Sequence, residues 1–252
     1  MPAMQPPATL MPVGPGPDAR RVATLVRSGE GPPVVWLGGF RSDMRATKAE
    51  ALDAWAAARN RAFVRFDYGG HGESDGDFAD FTISDWLADA QAVIGRHAAE
   101  RPILVGSSMG GWVALLAARQ VRPAGLVLIA PATDFTEALM WERFPDDIRR
   151  QVMEAGVWHR DSAYSPEPTA VTRALIEDGR HHLLLGGPID PGCPVHILQG
   201  MADPDVPWSH AMALVERLPE RDVVVTLIKD GDHRLSDPAS LARLIAAVEG
   251  IA

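Results

Sequence analysis

Cysteine is almost absent: Cys193 is the only one in 252 residues, so neither an intrachain disulfide nor a cysteine-based zinc cluster can form. Cationic side chains are also outnumbered, with 24 Lys and Arg against 33 Asp and Glu and a formal net charge of -9. Nucleic acid and anionic lipid are bound by clustered Lys and Arg, so neither is an expected partner. No apolar run approaches the ~18 residues of a membrane-spanning helix.

The first sixteen residues contain no Lys or Arg, and Pro2, Pro6, Pro7 and Pro12 interrupt every apolar stretch. They read neither as a secretory signal nor as an organellar transit peptide, and the expected compartment is the cytoplasm. Residues 1–18 read instead as a Pro-rich arm or edge segment, too rich in proline for a central strand. What remains is ordinary for a globular protein: 46% hydrophobic residues and enough length for one well-buried domain spanning 1–252.

Along the chain, short apolar runs alternate with helical periodicity. Strands are expected at Arg21–Val26 (edge), Val34–Leu37, Phe63–Tyr68, Pro102–Val105, Gly125–Ala130, Pro194–Gln199 and Val223–Ile228. Helices are expected at Thr47–Arg59, after Ser84 as cap, at Met109–Gln120, at Trp208–Leu218 and after Asp237, with Pro238 in the first turn. This rhythm predicts an α/β fold with a mostly parallel sheet covered on both faces. It stops between Pro131 and Pro191, a span with Met140, Trp141, Phe144, Met153 and Trp158 among many charges and no convincing buried strand. Residues 134–190 are expected to form a small helical cap over the sheet's carboxyl edge.

The decisive segment is Ile103 to Gly111, a strand running into Gly106-Ser107-Ser108-Met109-Gly110 and then a helix. A serine on so sharp a turn needs tiny neighbours two residues to either side, which Gly106 and Gly110 supply for Ser108. Ser107 is excluded because Val105 would stand in that place. Serine is a poor nucleophile without a histidine to take its proton and an acid to fix that histidine's tautomer. In such folds the partners follow in the order Ser, Asp, His, on loops after later strands. Of eight histidines only His233 follows the last strand. His196 lies within a strand and reads as packed, while His71, His97, His159, His181, His182 and His210 default to surface roles.

For the acid, Asp203 and Asp205 compete on the loop after the preceding strand; Asp203 is favoured because it stands nearer the strand end. Asp134 is an outside candidate, and Asp232 is too near His233 in sequence. The oxyanion hole needs the N–H of the residue after the nucleophile, Met109, and one from the loop Gly38-Gly39-Phe40-Arg41, where Phe40 comes first and Gly39 second.

Other motifs lead away from cofactors. Asp67 to Asp75 is Gly-rich, but Asp75 stands where a dinucleotide fingerprint needs its third glycine. No Gly-Lys-Ser or Gly-Lys-Thr marks a nucleotide loop, and His181-His182 lacks the spacing of a metal site. Cys193 reads as a small buried residue. No cofactor or metal is expected.

Gly38-Gly39-Phe40 followed by Thr47-Lys48-Ala49, then Arg65-Phe66-Asp67-Tyr68-Gly69, Ser74-Asp75-Gly76, Ile103–Trp112, Asp203 with Val206-Pro207-Trp208, and Asp232-His233-Arg234 together resemble the α/β-hydrolase superfamily. The resemblance runs from about Arg20 to the end. It is nearest to the branch of the mitochondrial palmitoyl-protein thioesterase, also described as an acyl-glucuronide esterase, and its bacterial relatives. It implies that Ser108, Asp203 and His233 form the triad and that substrates are S-acylated proteins or small acyl conjugates. The expected activity is hydrolysis of ester or thioester bonds of small to medium acyl substrates through an acyl-enzyme. Acyl transfer, amide cleavage and a catalytically silent binding module are the rival readings; oligomeric state is not legible.

Overall fold

Runs such as Val34-Val35-Trp36-Leu37 and Ile103-Leu104-Val105 have no polar side to offer water, so they belong in a sheet buried on both faces. A computed structural model describes residues 6–16, 19–161 and 167–251. Its main sheet contains β1 (Thr9–Val13), β2 (Arg20–Arg27), β3 (Glu30–Leu37), β4 (Arg61–Phe66), β5 (Ile103–Ser107), β6 (Gly125–Ile129), β9 (Val195–Gly200) and β10 (Val223–Ile228), in the spatial order β1-β2-β4-β3-β5-β6-β9-β10. β1 and β2 pair antiparallel, as do β2 and β4; every other neighbouring pair is parallel. Parallel neighbours send the loops after them to one edge, and the proposed site residues gather there.

Alternate residues divide the core. Val35, Leu37, Leu104 and Leu128 face α2 (Ile83–His97), α3 (Met109–Val121) and α6 (Trp208–Val215), whereas Val34, Trp36, Val105 and Val127 face α1 (Thr47–Ala58) and α7 (Pro238–Glu249). The expected two-sided, mostly parallel sheet is therefore the one observed.

The Pro-rich arm lies partly outside the described residues, at 1–5 and 17–18, but its middle forms β1. Pro12 is tolerated there because an edge strand can spare one amide. α2 is not capped by Ser84. Thr82 and Asp85 form a reciprocal capping box, and the Ser84 hydroxyl donates to Asp178 Oδ1 at 2.6 Å. α7 begins as expected, with Asp237 accepting from the Ala239 and Ser240 amides ahead of Pro238.

The span between β6 and β9 is not wholly helical. It holds a π-helical turn (Thr136–Met140), α4 (Asp146–Ala155), α5 (Arg173–Gly179) and a two-stranded antiparallel sheet of β7 (Val157–Arg160) and β8 (Thr169–Thr172). These strands are four residues each and only one face of β8 is buried, through Thr169 and Val171, so no apolar run announces them. Among the described residues no helix is long and apolar enough to cross a membrane.

Candidate active site

β5 is buried at all five positions and delivers the chain to Ser108, whose φ of 54° and ψ of -119° are costly for a side-chain-bearing residue. The turn is held by its own backbone: Ser108 N donates to Ile129 O at 2.8 Å, and Ser108 O accepts from Gly111 at 2.9 Å and Ala132 at 3.1 Å. The two small neighbours are sterically required. A Cβ on Gly106 would lie 2.3 Å from Gly110 O, and one on Gly110 would lie 2.1 Å from Leu37 O. α3 starts at once with Met109, so the Met109 N–H emerges at a helix N-terminus beside the serine.

The expected base, His233, lies on the loop after β10. His233 Nε2 stands 3.2 Å from Ser108 Oγ, and its Nδ1 stands 2.8 Å from Asp203 Oδ2. The Asp203 side chain is fully buried. Its Oδ1 accepts from the Asp205 and Val206 amides at 2.8 and 2.9 Å, and Gln199 Nε2 donates to Oδ2 at 3.3 Å. Four donors, the imidazole included, thus converge on this carboxylate. The loops that carry Asp203 and His233 are locked backbone to backbone: Ala202 N donates to Gly231 O, and a Cβ on Gly200 would lie 2.3 Å from that oxygen.

Ligand atoms of Asp203, Asp205 and His233 lie within 4.8 Å of one another. The imidazole Nδ1 is turned to Asp203 Oδ2 and two amides already occupy Oδ1, so the cluster has the form of an acid–base pair. Asp205 instead gives its amide to Asp203. Asp134, at φ 57°, accepts from the Leu184 and Leu185 amides and closes the base of the insert; burial raises its pKa. Asp232 accepts from Leu235 N, shaping the histidine loop.

The loop Gly38–Arg41 lies against the serine, since a Cβ on Gly39 would be 3.4 Å from Ser108 Cβ. Among the described residues, neither the Phe40 nor the Met109 amide donates within the chain.

The family follows from this architecture and from direct comparison. Residues 34–244 match the alpha/beta hydrolase family. This chain belongs to that family. The hydrolase is 35% identical over 238 residues to human "Palmitoyl-protein thioesterase ABHD10, mitochondrial", covering 93% of this chain and 78% of the relative. Mouse "Alpha/beta hydrolase domain-containing protein 10" superposes with a TM-score of 0.87 at 32% identity, covering 97% of each chain. A protein from Agrobacterium vitis S4 superposes with a TM-score of 0.94 at 49% identity, over 98% of this hydrolase and 99% of its own chain.

One histidine assigned by default to the surface is buried: His71 is 4% exposed. His210 is half-buried and faces Thr133 O at 2.7 Å through Nε2. His196 is packed in β9 as expected, with Nε2 2.9 Å from Thr226 Oγ1. Cys193 is half-buried, and burial pushes its thiol up to about 11, so it is a poor nucleophile at neutral pH.

Lys48, at the start of α1, was not singled out for chemistry either. Its ammonium donates to the carbonyl of Arg234, next to His233, and burial brings its pKa down to about 8. Asp67 was likewise overlooked. It accepts from the Met44 amide at 2.7 Å and the Glu73 amide at 2.8 Å, tying the loop after β3 to the loop after β4. The signal for such residues lay in topology: β3 and β4 are parallel neighbours, so their following loops must meet.

Proposed function

We propose that this hydrolase cleaves carboxylic esters or thioesters through an acyl-enzyme, with Ser108 as nucleophile, His233 as general base and Asp203 as the acid that orients it. The observation that carries this reading is the continuous relay Ser108 Oγ–His233 Nε2–Nδ1–Asp203 Oδ2, at 3.2 and 2.8 Å. His233 takes the hydroxyl proton as Ser108 attacks the carbonyl, and the amides of Phe40 and Met109 hold the oxyanion. The protonated imidazole then gives its proton to the leaving alcohol or thiol. Water, deprotonated by the same nitrogen, releases the acid and regenerates Ser108.

The thioesterase name of the human relative supports S-acylated proteins or small acyl thioesters as substrates. In this reading the span 134–190 is a cap that shapes the acyl pocket. A reducing cytoplasm suits a chain whose single thiol is half-buried and inert.

Ser108→Ala is expected to lower kcat on p-nitrophenyl esters and acyl thioesters by about 10⁴-fold or more, without loss of folding. A fluorophosphonate probe should label the wild-type protein and not the variant. A variant that retains most of its activity would refute the assignment.

A further inference from the structure

The Gly-rich loop after β4 takes no part in the relay, yet it is packed against the loop that carries Phe40. His71 sits there, caged by Tyr68, Phe78 and Trp86 with ring centroids 5.8, 5.1 and 5.3 Å away. Its Nδ1 faces Gly69 O at 3.2 Å and its Nε2 faces the Arg41 amide, also at 3.2 Å. A carbonyl oxygen only accepts and a backbone amide only donates. The ring must therefore carry its proton on Nδ1 and present a bare lone pair at Nε2. Burial brings its pKa down to about 4, which keeps that neutral form across the neutral range.

We propose that His71 is a positioning residue of the oxyanion hole: its Nε2 lone pair holds the Arg41 amide, fixes the Phe40–Arg41 peptide and so aims the Phe40 N–H. This rests on the reading of Phe40 as an oxyanion donor.

The local backbone shows why such a hold is needed. Arg41 has a φ of 61°, in the left-handed region that costs a residue other than glycine, and Ser42 N closes a tight turn onto Gly39 O at 3.1 Å. Left to itself such a turn can relax and swing the preceding amide away. His71 grips the backbone at the strained residue. The Phe40 ring is gripped separately, by Phe78, Trp86 and Phe135 at 4.9, 5.8 and 5.4 Å. Farther along the loop, the Met44 backbone is held on both sides, its N–H by Asp67 and its C=O by Arg65 Nη1 at 3.0 Å. The loop after β4 thus sets where the donor sits, and His71 sets where it points.

The test separates aiming from packing. His71→Phe keeps an aromatic ring in the cage and removes the lone pair. Misdirecting one preorganised donor is expected to lower kcat about 10- to 100-fold with KM within about threefold. Affinity for a trifluoromethyl ketone, which forms a tetrahedral adduct on the serine, should fall in parallel. An unchanged kcat, or a kcat loss with full ketone affinity, overturns the positioning role. The parent reading is checked apart from this, because ketone binding by the wild-type protein must vanish in Ser108→Ala whatever His71 does. ¹⁵N-histidine spectra of the wild-type protein give a second readout that needs no variant to fold. Between about pH 5 and about pH 9 His71 should show a protonated Nδ1 and a bare Nε2; a proton on Nε2 would sink the proposal.

Discussion

The turn at Ser108 and the span between β6 and β9 both leave the same edge of the sheet, yet they are held by different forces. The turn is fixed by close backbone approach and by strands buried on both sides, and the loops beside it hold carboxylates taken out of water, Asp203 and Asp67. Beyond buried Asp134 at its base, the insert is fixed by one-sided elements and half-exposed ion pairs: Arg180 with Glu137 at 2.7 Å, Arg149 with Asp146 at 3.8 Å, and Arg173 with Glu177 at 4.0 Å. A carboxylate buried and bonded by several donors has one position, whereas exposed ion pairs each contribute little and can rearrange. Chemistry that needs atoms held to fractions of an ångström belongs on the first kind of structure, and adaptable substrate contact on the second.

Asp203→Asn should sharpen this contrast most. It leaves the packing almost unchanged but lets His233 adopt the wrong tautomer, with an expected fall in kcat of about 10⁴-fold. Steady-state kinetics on a p-nitrophenyl ester would show it, with a far-ultraviolet circular dichroism spectrum to confirm folding. Gly110→Ala comes next. Its Cβ would stand 2.1 Å from a backbone oxygen, which cannot rotate away as a side chain could. A destabilisation of about 3 kcal/mol is expected by urea unfolding, together with loss of activity. A neutral outcome would mean that the turn yields as easily as the insert.

The same difference explains what could be read in advance. The turn at Ser108 needs particular small residues at particular spacings, and an apolar run before it, so Ser108, Gly106 and Gly110 were visible in the residues themselves. His233 and Asp203 could be named as candidates because strand order fixes their loops, and the structure brings both to Ser108; the choice of Asp203 over Asp205 agrees with the bonds that converge on it. The hairpin β7–β8 escaped because only Thr169 and Val171 of β8 are buried, too few to make a pattern. His71, Asp67 and Lys48 escaped for another reason. Each has a backbone partner on a loop distant in sequence, and a backbone amide or carbonyl leaves no mark in a residue string. Ser84 looked like a cap because serine often is one. Only coordinates show that Thr82 has taken that place and that Ser84 reaches Asp178.

Buried charge on the core side also gives a pH dependence. Burial raises the Asp67 carboxyl to about 6, against the Met44 and Glu73 amides, which act to lower it. Between about pH 4 and about pH 6 the native state holds a proton there that the unfolded chain, with an ordinary aspartate near 4, has released. This group's contribution to stability therefore grows as pH falls from 6 toward 4, and its penalty is complete above 6. Asp67→Asn should be less stable overall, because an amide cannot accept from both backbone donors as the carboxylate does. The test is the slope. The wild-type minus variant difference in urea-unfolding free energy should change across that interval and be flat from about pH 7 to about pH 8. A difference that is flat throughout would place Asp67 in a more solvated setting than its 2% exposure indicates.

The smallest effects belong to the insert. Trp158 meets Phe144 edge-on, with ring centroids 5.1 Å apart, and is only partly buried. Trp158→Ala should cost about 1–2 kcal/mol, alter KM for longer acyl chains several-fold and leave kcat within about twofold. Smaller still is Glu137→Gln, which breaks the pair with Arg180 but leaves that guanidinium over the Trp141 ring at 4.9 Å. Both partners are partly exposed, so a change below about 1 kcal/mol is expected, shrinking further with added salt. The comparison turns on this pair of variants. If either lowers kcat as far as His71→Phe does, the insert takes part in holding the reacting atoms, and the division between a fixed core side and an adaptable insert fails at the residue concerned.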